Sequence, residues 1–378
     1  MATVAAPRAE GSGTVVGPAE RSQVLHIPSL DGLRAVSFFI VFVAHAGVEQ
    51  FPGGLGVTIF FFLSGFLITT LMRVEAATTG TVSLKNFYLR RALRILPPFY
   101  IVLFLATVVG LSIYPDLKPP IATMPVASQA LHFSNYWIAL HGWGGTAPGT
   151  GVFWSLAVEE HFYLLFPFVF LALERRGLSG EHKARVFWGV CAVVLLWRCV
   201  LVLALGSSTD RTYLCSDTRI DSIAFGCALA VWNNPVLDVG GKERADGGSA
   251  ILVRFGFPAG VVLLLVTLLF RNPTFRETIR YSLQGIALTP IFMAAVRRPD
   301  LGIFRALNWR PMRFLGTLSY VLYLTHHAVL YAVSQVTHLT GIFRAMTALA
   351  LALGMAWLMN RYVERPSAKL RRKLSTVA

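Results

Sequence analysis

The residues best suited to chemistry here are ionisable groups set inside apolar runs, where an idle charge or imidazole is costly. The first such run reads DGLRAVSFFIVFVAH and carries Arg34 and His45. Their spacing is close to three helical turns, so both share a helix face about 16 Å apart along the axis. An imidazole titrates near neutrality and suits general-base work, with Arg34 beside it in the catalytic set. The alternative is that Arg34 anchors a helix end and His45 is a buried, hydrogen-bonded histidine. A second run, FYLRRALRILPP at 87–98, brings Arg90, Arg91 and Arg94 to a helix start. Such a group can grip phosphate through planar guanidinium forks. It can equally mark the cytoplasmic end of a span.

The stretch FWSLAVEEHFYLLFP at 153–167 sets Ser155, Glu159, Glu160 and His161 within two turns. Ser155 and Glu159 are i,i+4 neighbours on one face. Two adjacent carboxylates at the outer end of an apolar helix exceed what a structural helix needs, and they are expected on the same side as His45. In TRIDSIAFG, Arg219 and Asp221 are expected to compensate one another, for structure or for function. In SYVLYLTHH, Tyr323 precedes His326 and His327 by three and four residues. It is placed to orient an imidazole or simply to pack in the interior. Cys191, Cys199, Cys215 and Cys227 show no CxxC or metal-ligand spacing, so neither a disulfide nor a metal site is expected.

The elements that must position these groups are membrane helices. Charged residues make up 14% of the chain, against about a quarter in soluble domains, and the apolar residues fall into long blocks. Ten candidate spans follow: 33–48, 55–72, 96–113, 151–173, 186–206, 219–232, 251–270, 281–296, 314–333 and 343–360. Several approach the roughly 20 residues needed to cross the hydrocarbon core. The segment 219–232 is the shortest and starts polar. Continuous rather than alternating apolarity excludes a barrel, leaving an all-α polytopic protein of about ten transmembrane helices.

The net charge of +15 invites a nucleic-acid reading, but its distribution argues against one. With the N-terminus inside, 24 of the 34 Lys and Arg residues fall in cytoplasmic connections and five in outer ones: Lys118, Arg211, Arg271, Arg276 and Arg280. The bias predicts both termini in the cytoplasm, with the lipid bilayer rather than nucleic acid as partner. Residues 1–28 are expected to be a disordered tail without a signal-peptide core. A single membrane domain is expected at 29–366 and a basic tail at 367–378. The longest outer connection, 114–150, is expected to lay an amphipathic helix over 126–140 and a flexible turn in the glycine-rich GWGGTAPGTG at 142–151. The stretch DVGGKERADGGS at 238–249 reads as a cytoplasmic linker.

Taken together, these stretches resemble acyltransferase family 3, bacterial multi-pass enzymes that O-acylate sugars and some antibiotics. The likeness runs from DGLRA at 31 to VERP at 363–366. It rests on Arg34, Phe38 and His45; on Ser64 and Gly65 in FFFLSGFL; and on Arg91 and Arg94 in RALR. It rests further on Trp154, Ser155, Glu159, Phe162 and Tyr163, and on the SYxxYLxH pattern that ends at His326. The resemblance implies an acyl-CoA donor, acetyl-CoA foremost, with its phosphates near Arg91 and Arg94. It implies His45 as catalytic base or transient acyl carrier, and no permanently bound cofactor. The acceptor would be a hydroxyl of a glycan, a lipid-linked sugar or a glycosylated small molecule, at the cell (inner) membrane. Some members carry a fused hydrolase-like domain, and none is expected here. The competing reading is a proton-coupled secondary transporter with His45 and Glu159 as relay groups. The absence of an internal repeat weighs against it.

Overall fold

The computed structural model describes residues 27–48, 50–114, 119–238 and 252–374. Most of the two expected tails' outer parts, most of the 238–249 linker, and Lys118 lie outside these residues. Among the described residues there is no strand. Each of the ten apolar segments is a helix: α1 Pro28–His45, α2 Gly53–Thr79, α3 Leu84–Ile113, α4 Trp154–Arg175 and α5 Gly180–Cys199, then α6 Ser216–Val231, α7 Phe257–Leu269, α8 Arg280–Arg297, α9 Arg310–Val336 and α10 Gly341–Met359. The protein is a multi-pass membrane protein, and among the described residues six helical stretches are long and apolar enough to span a bilayer: α1 to α5 with their extensions, and α10. The remaining four are shorter or more polar: α6 is buried along nearly its whole length, whereas α7 is short but apolar and largely exposed.

Local sequence explains the ends that matter to the site. Pro28 opens α1 where a missing N–H costs nothing, and Asp31 sits in the first turn, favoured by the helix dipole. Ser83 caps α3, its Oγ accepting from the Asn86 amide at 3.4 Å. Pro97 and Pro98 lie inside α3, and there the Tyr320 hydroxyl of α9 donates to the Ile95 carbonyl at 2.8 Å.

The bundle centres on α6, which is buried along nearly its whole length and packs on α2, α5 and α8. Gly65 and Gly226 let α2 and α6 approach backbone to backbone. A Cβ at Gly65 would strike the Ile223 carbonyl oxygen, and one at Gly226 the Phe62 carbonyl oxygen. Small residues at such crossings are the usual means of close helix approach in membranes.

The expected Arg219–Asp221 pairing does not form. Asp221 instead takes Arg198 of α5, Nη2 to Oδ2 at 2.7 Å, with both side chains fully buried. The same guanidinium donates to the carbonyls of Thr278 (2.9 Å) and Thr218 (2.6 Å) and to Ser282 Oγ (2.6 Å). Two residues apart on a helix, Arg219 and Asp221 point to different faces. The outer connection also departs from a single amphipathic helix. It forms two short helices, Thr123–Ala130 and Ser134–His141, broken at His132, whose φ is 58°. Burial, with the neighbouring His161, pushes the His132 imidazole down to about 4, so the bend carries no charge at neutral pH.

The Arg198–Asp221 pair sets a stability test. Asp221→Ala leaves a guanidinium buried and unpaired, at a cost of about 3–5 kcal/mol. The double variant Arg198→Met, Asp221→Ala is expected to unfold at a higher temperature than Asp221→Ala alone in detergent melting curves. A double variant no more stable than that single one would show that the pair is not the joint between α5, α6 and α8.

Candidate functional site

A cavity of about 300 Å³ lies between α1, α2, α3, α4 and α9. α1 contributes Asp31 and Arg34, α2 Ser64, α3 Arg91 and Arg94, and α4 Ser155, Glu159 and Tyr163. α9 adds Tyr320 and Tyr323. Arg34 Nη1 donates to Asp31 Oδ1 at 2.8 Å, an i,i+3 pair within the first turns of α1. Glu159 accepts from Ser64 Oγ (2.7 Å) and from the Tyr163 hydroxyl (3.3 Å). The Arg91 guanidinium lies over the Tyr163 ring, 4.6 Å from its centroid. Three guanidinium groups against two carboxylates leave the lining with a net positive charge, suited to an anion of matching planar oxygens.

The cavity does not reach His45, which ends α1 and is exposed rather than sunk in the apolar span. Its Nδ1 lies 2.9 Å from Nε2 of His326, which is fully buried on α9. His326 Nδ1 in turn lies 2.8 Å from the Tyr323 carbonyl and 3.2 Å from that of Leu322. A carbonyl only accepts, so His326 carries its proton on Nδ1 and presents a lone pair at Nε2. His45 then donates from Nδ1, which leaves its own Nε2 with a lone pair. The His327 ring stacks on His45 with centroids 4.6 Å apart.

Between the cavity and this pair stands Tyr323. Its hydroxyl is 2.7 Å from Ser155 Oγ and 3.3 Å from the Val152 carbonyl, and its ring meets Phe60 edge-on at 5.7 Å. Ser155 and Tyr323 line the cavity, while the Tyr323 backbone holds His326. Tyr323 thus links the cavity, through its side chain, to the histidine pair, through its main chain.

The structure therefore divides the residues expected from sequence. Arg34, Ser64, Arg91, Arg94, Ser155, Glu159, Tyr163 and Tyr323 share the cavity; His45 and His326 are paired with each other outside its lining. Glu159 sits with the arginines, not beside His45 as its place near the start of α4 suggested. Glu160 follows it in sequence but does not line the cavity. Asp221 belongs to the α5–α6 joint. Arg219 is fully buried among rings, 4.1 Å from the Tyr281 centroid and 5.2 Å from that of Tyr213, and its Nη atoms donate to Thr58 and the Tyr213 carbonyl. Asp31, Phe60 and Tyr320 were not singled out from sequence, and His327 was named there only as the neighbour of His326. The i,i+3 spacing to Arg34 is a signal that would have found Asp31. Among the described residues no cluster of three His, Cys, Asp or Glu side chains is arranged to hold a metal ion.

The glycine-rich stretch at 142–151 is packed rather than loose. Ala147 and Thr150 are buried, and Gln129 Nε2 donates to Thr150 Oγ1 at 2.9 Å. Gly149 has φ of 71°, and a Cβ there would strike the α9 backbone at Ala328, next to His327.

The chain matches the family described as Acyltransferase domain over residues 27–361. It is 28% identical to the peptidoglycan O-acetyltransferase OatA of Listeria monocytogenes, across 91% of this chain and 56% of that one. It is 31% identical to YrhL of Bacillus subtilis, provisionally named a peptidoglycan O-acetyltransferase, across 81% of this chain and 49% of that one. The chain thus spans about half the length of the curated relatives it matches. No solved structure matches it.

Gly149 and Gly142 give a paired test of the loop. Both have positive φ, 71° and 81°, but a Cβ at Gly142 meets nothing within 4 Å. Alanine at either position costs about 1–3 kcal/mol of backbone strain, and only Gly149→Ala adds a clash with the α9 backbone. Gly149→Ala is expected to melt several degrees below Gly142→Ala and to be cut faster by protease in the loop. Equal behaviour would mean that the loop is not seated on α9.

Proposed function

The chain belongs to the acyltransferase family that it matches over residues 27–361, and from that premise we propose that it moves an acetyl or other short acyl group from acyl-CoA to a hydroxyl of a cell-wall glycan. The observation that carries this reading is the arginine-lined cavity separated by one tyrosine from a polarised histidine pair. The names of the relatives support a glycan acceptor.

In this reading the ten helices each cross the cell membrane and both termini are cytoplasmic. The concentration of Lys and Arg at the Arg34 end of the bundle supports that orientation. Acyl-CoA enters from that end. Arg91 and Arg94 take its phosphates, Arg34 adds charge, and Glu159 with Tyr163 holds Arg91 in place. The thioester points towards Ser155 and Tyr323, and Tyr323 must turn aside for it to meet His45.

The acceptor hydroxyl approaches from the other side and gives its proton to His45 Nε2. Its oxygen bonds to the thioester carbonyl carbon. The tetrahedral adduct then expels the CoA thiolate, which takes the proton from His45. His326 fixes the tautomer that makes this possible and shares the positive charge while it lasts. A thioester is higher in energy than an oxygen ester, so the reaction needs no other energy source.

The decisive experiment follows label from acetyl-CoA in purified protein. His45→Ala is expected to keep donor binding and lose about 10²–10⁴-fold in transfer. The Arg91→Ala, Arg94→Ala double variant is expected to lose donor binding. Label retained on the parent without acceptor, and absent from His45→Ala, would replace the base role with an acyl-histidine intermediate. Full transfer by His45→Ala would sink both versions, and proton-coupled flux with no transfer would favour a transporter.

Orientation has its own check. A reporter fused after Ala378 is expected in the cytoplasm and one inserted near Gly145 outside. Both on one side would overturn the count of ten crossings.

A further inference from the structure

Beyond α10 the chain continues through a π-helical turn, Asn360–Glu364, into a short helix, Arg365–Lys373, that docks against α3. Only one of its faces is covered. Glu364, Ser367, Ala368, Arg371 and Leu374 are partly buried, whereas Arg365, Lys369, Arg372 and Lys373 are exposed. Steps of three and four residues make the covered positions a single helical stripe.

Its C-terminal end is tied to α3, and its N-terminal end is held by a bond within the π-helical turn. Arg90 Nη1 donates to the Leu374 carbonyl at 3.1 Å, while its Nη2 holds Glu75 of α2 at 2.6 Å. Glu364 accepts from Asn360 Nδ2 at 2.8 Å.

Arg371 is the cation of that covered stripe. Its Nε is buried with no hydrogen-bond partner. It lies within electrostatic reach of Arg94 and Arg91, with Glu364 as the nearby counter-charge. Docking a cation against two others is unfavourable unless an anion comes between them. The exposed cations fit lipid headgroups at a membrane surface, but Arg371 is not on their face.

The chemistry of the donor says which anion. Coenzyme A is linear, running from the acylated thiol through pantetheine to a diphosphate and then to a ribose 3′-phosphate. In the reading above, a thioester near Tyr323 and a diphosphate at Arg91 and Arg94 would leave the 3′-phosphate to extend beyond the cavity lining towards the start of α3. Arg371 stands at that end, three residues before the Leu374 carbonyl that Arg90 of α3 holds.

We propose that Arg371 of the C-terminal helix completes the donor site as the cation that receives the ribose 3′-phosphate of acyl-CoA. The inference rests on the acyl-CoA reading above.

The test compares binding of CoA and 3′-dephospho-CoA to the full chain in phosphatidylcholine nanodiscs, with and without phosphatidylglycerol. The parent is expected to prefer CoA by roughly 10- to 100-fold, the range of a charge-assisted contact. Arg371→Ala is expected to bring CoA down to the dephospho-CoA affinity while leaving dephospho-CoA within about twofold. Arg371→Lys should keep part of the preference, and Arg372→Ala should change neither ligand. Equal losses for both ligands would make Arg371 merely structural and overturn the proposal. So would an unchanged preference in Arg371→Ala, or an effect confined to phosphatidylglycerol discs, which would mark a headgroup site. A parent that binds neither ligand would instead overturn the acyl-CoA reading, and this inference with it.

Discussion

A charge in the interior of an apolar helix bundle has no water to turn to, so every buried guanidinium must find its oxygen atoms or ring faces in the protein. That constraint organises this structure. Arg198 is met by two backbone carbonyls, a carboxylate and a hydroxyl, drawn from α6, α8 and the turn before α8. Arg219 is met by aromatic faces and two oxygens. The helices that supply these partners are thereby tied to one another, and α6 becomes the axis of the bundle. The same constraint leaves the cavity arginines distinct, because their lining has fewer carboxylates than guanidinium groups.

Much of this was legible in the sequence, and the reasons are physical. Among the described residues, length and apolarity located a helix in each of the ten apolar segments, six of them long and apolar enough to span a bilayer, since a continuous hydrophobic run has few other ways to be stable. Part of the candidate site was legible too: costly groups in apolar runs marked Arg34, Arg91 and Glu159, which the structure brings to one cavity, while His45 lies at the exposed end of α1 outside its lining. What the sequence could not supply was the pairing between helices. Asp221 was matched to Arg219 because the two are close in the chain, yet helical geometry turns them apart and brings in Arg198 from α5. Glu159 was grouped with His45 by depth, whereas the structure sets Ser64 of α2 against it, Oγ donating at 2.7 Å. The glycines at 142–151 read as looseness because glycine composition does not distinguish a free turn from a tight one. At Gly149 the missing Cβ is needed for contact.

Under the proposed reaction, Tyr323 bears on how a donor is kept from waste. A thioester in the cavity would stay behind the Ser155–Tyr323 hydrogen bond, away from the exposed end of α1 that carries His45. The His326 tautomer, and with it the His45 proton, depends on a backbone carbonyl of Tyr323 and not on any ligand. In that reading one residue sets the base through its main chain and bars the way to it through its side chain. In the proposed reaction, side-chain rotation at Tyr323 can open the path without disturbing the proton arrangement of the histidine pair. A barrier carried by any residue outside the α9 turn that holds His326 would have left opening and base geometry to be coordinated across separate helices.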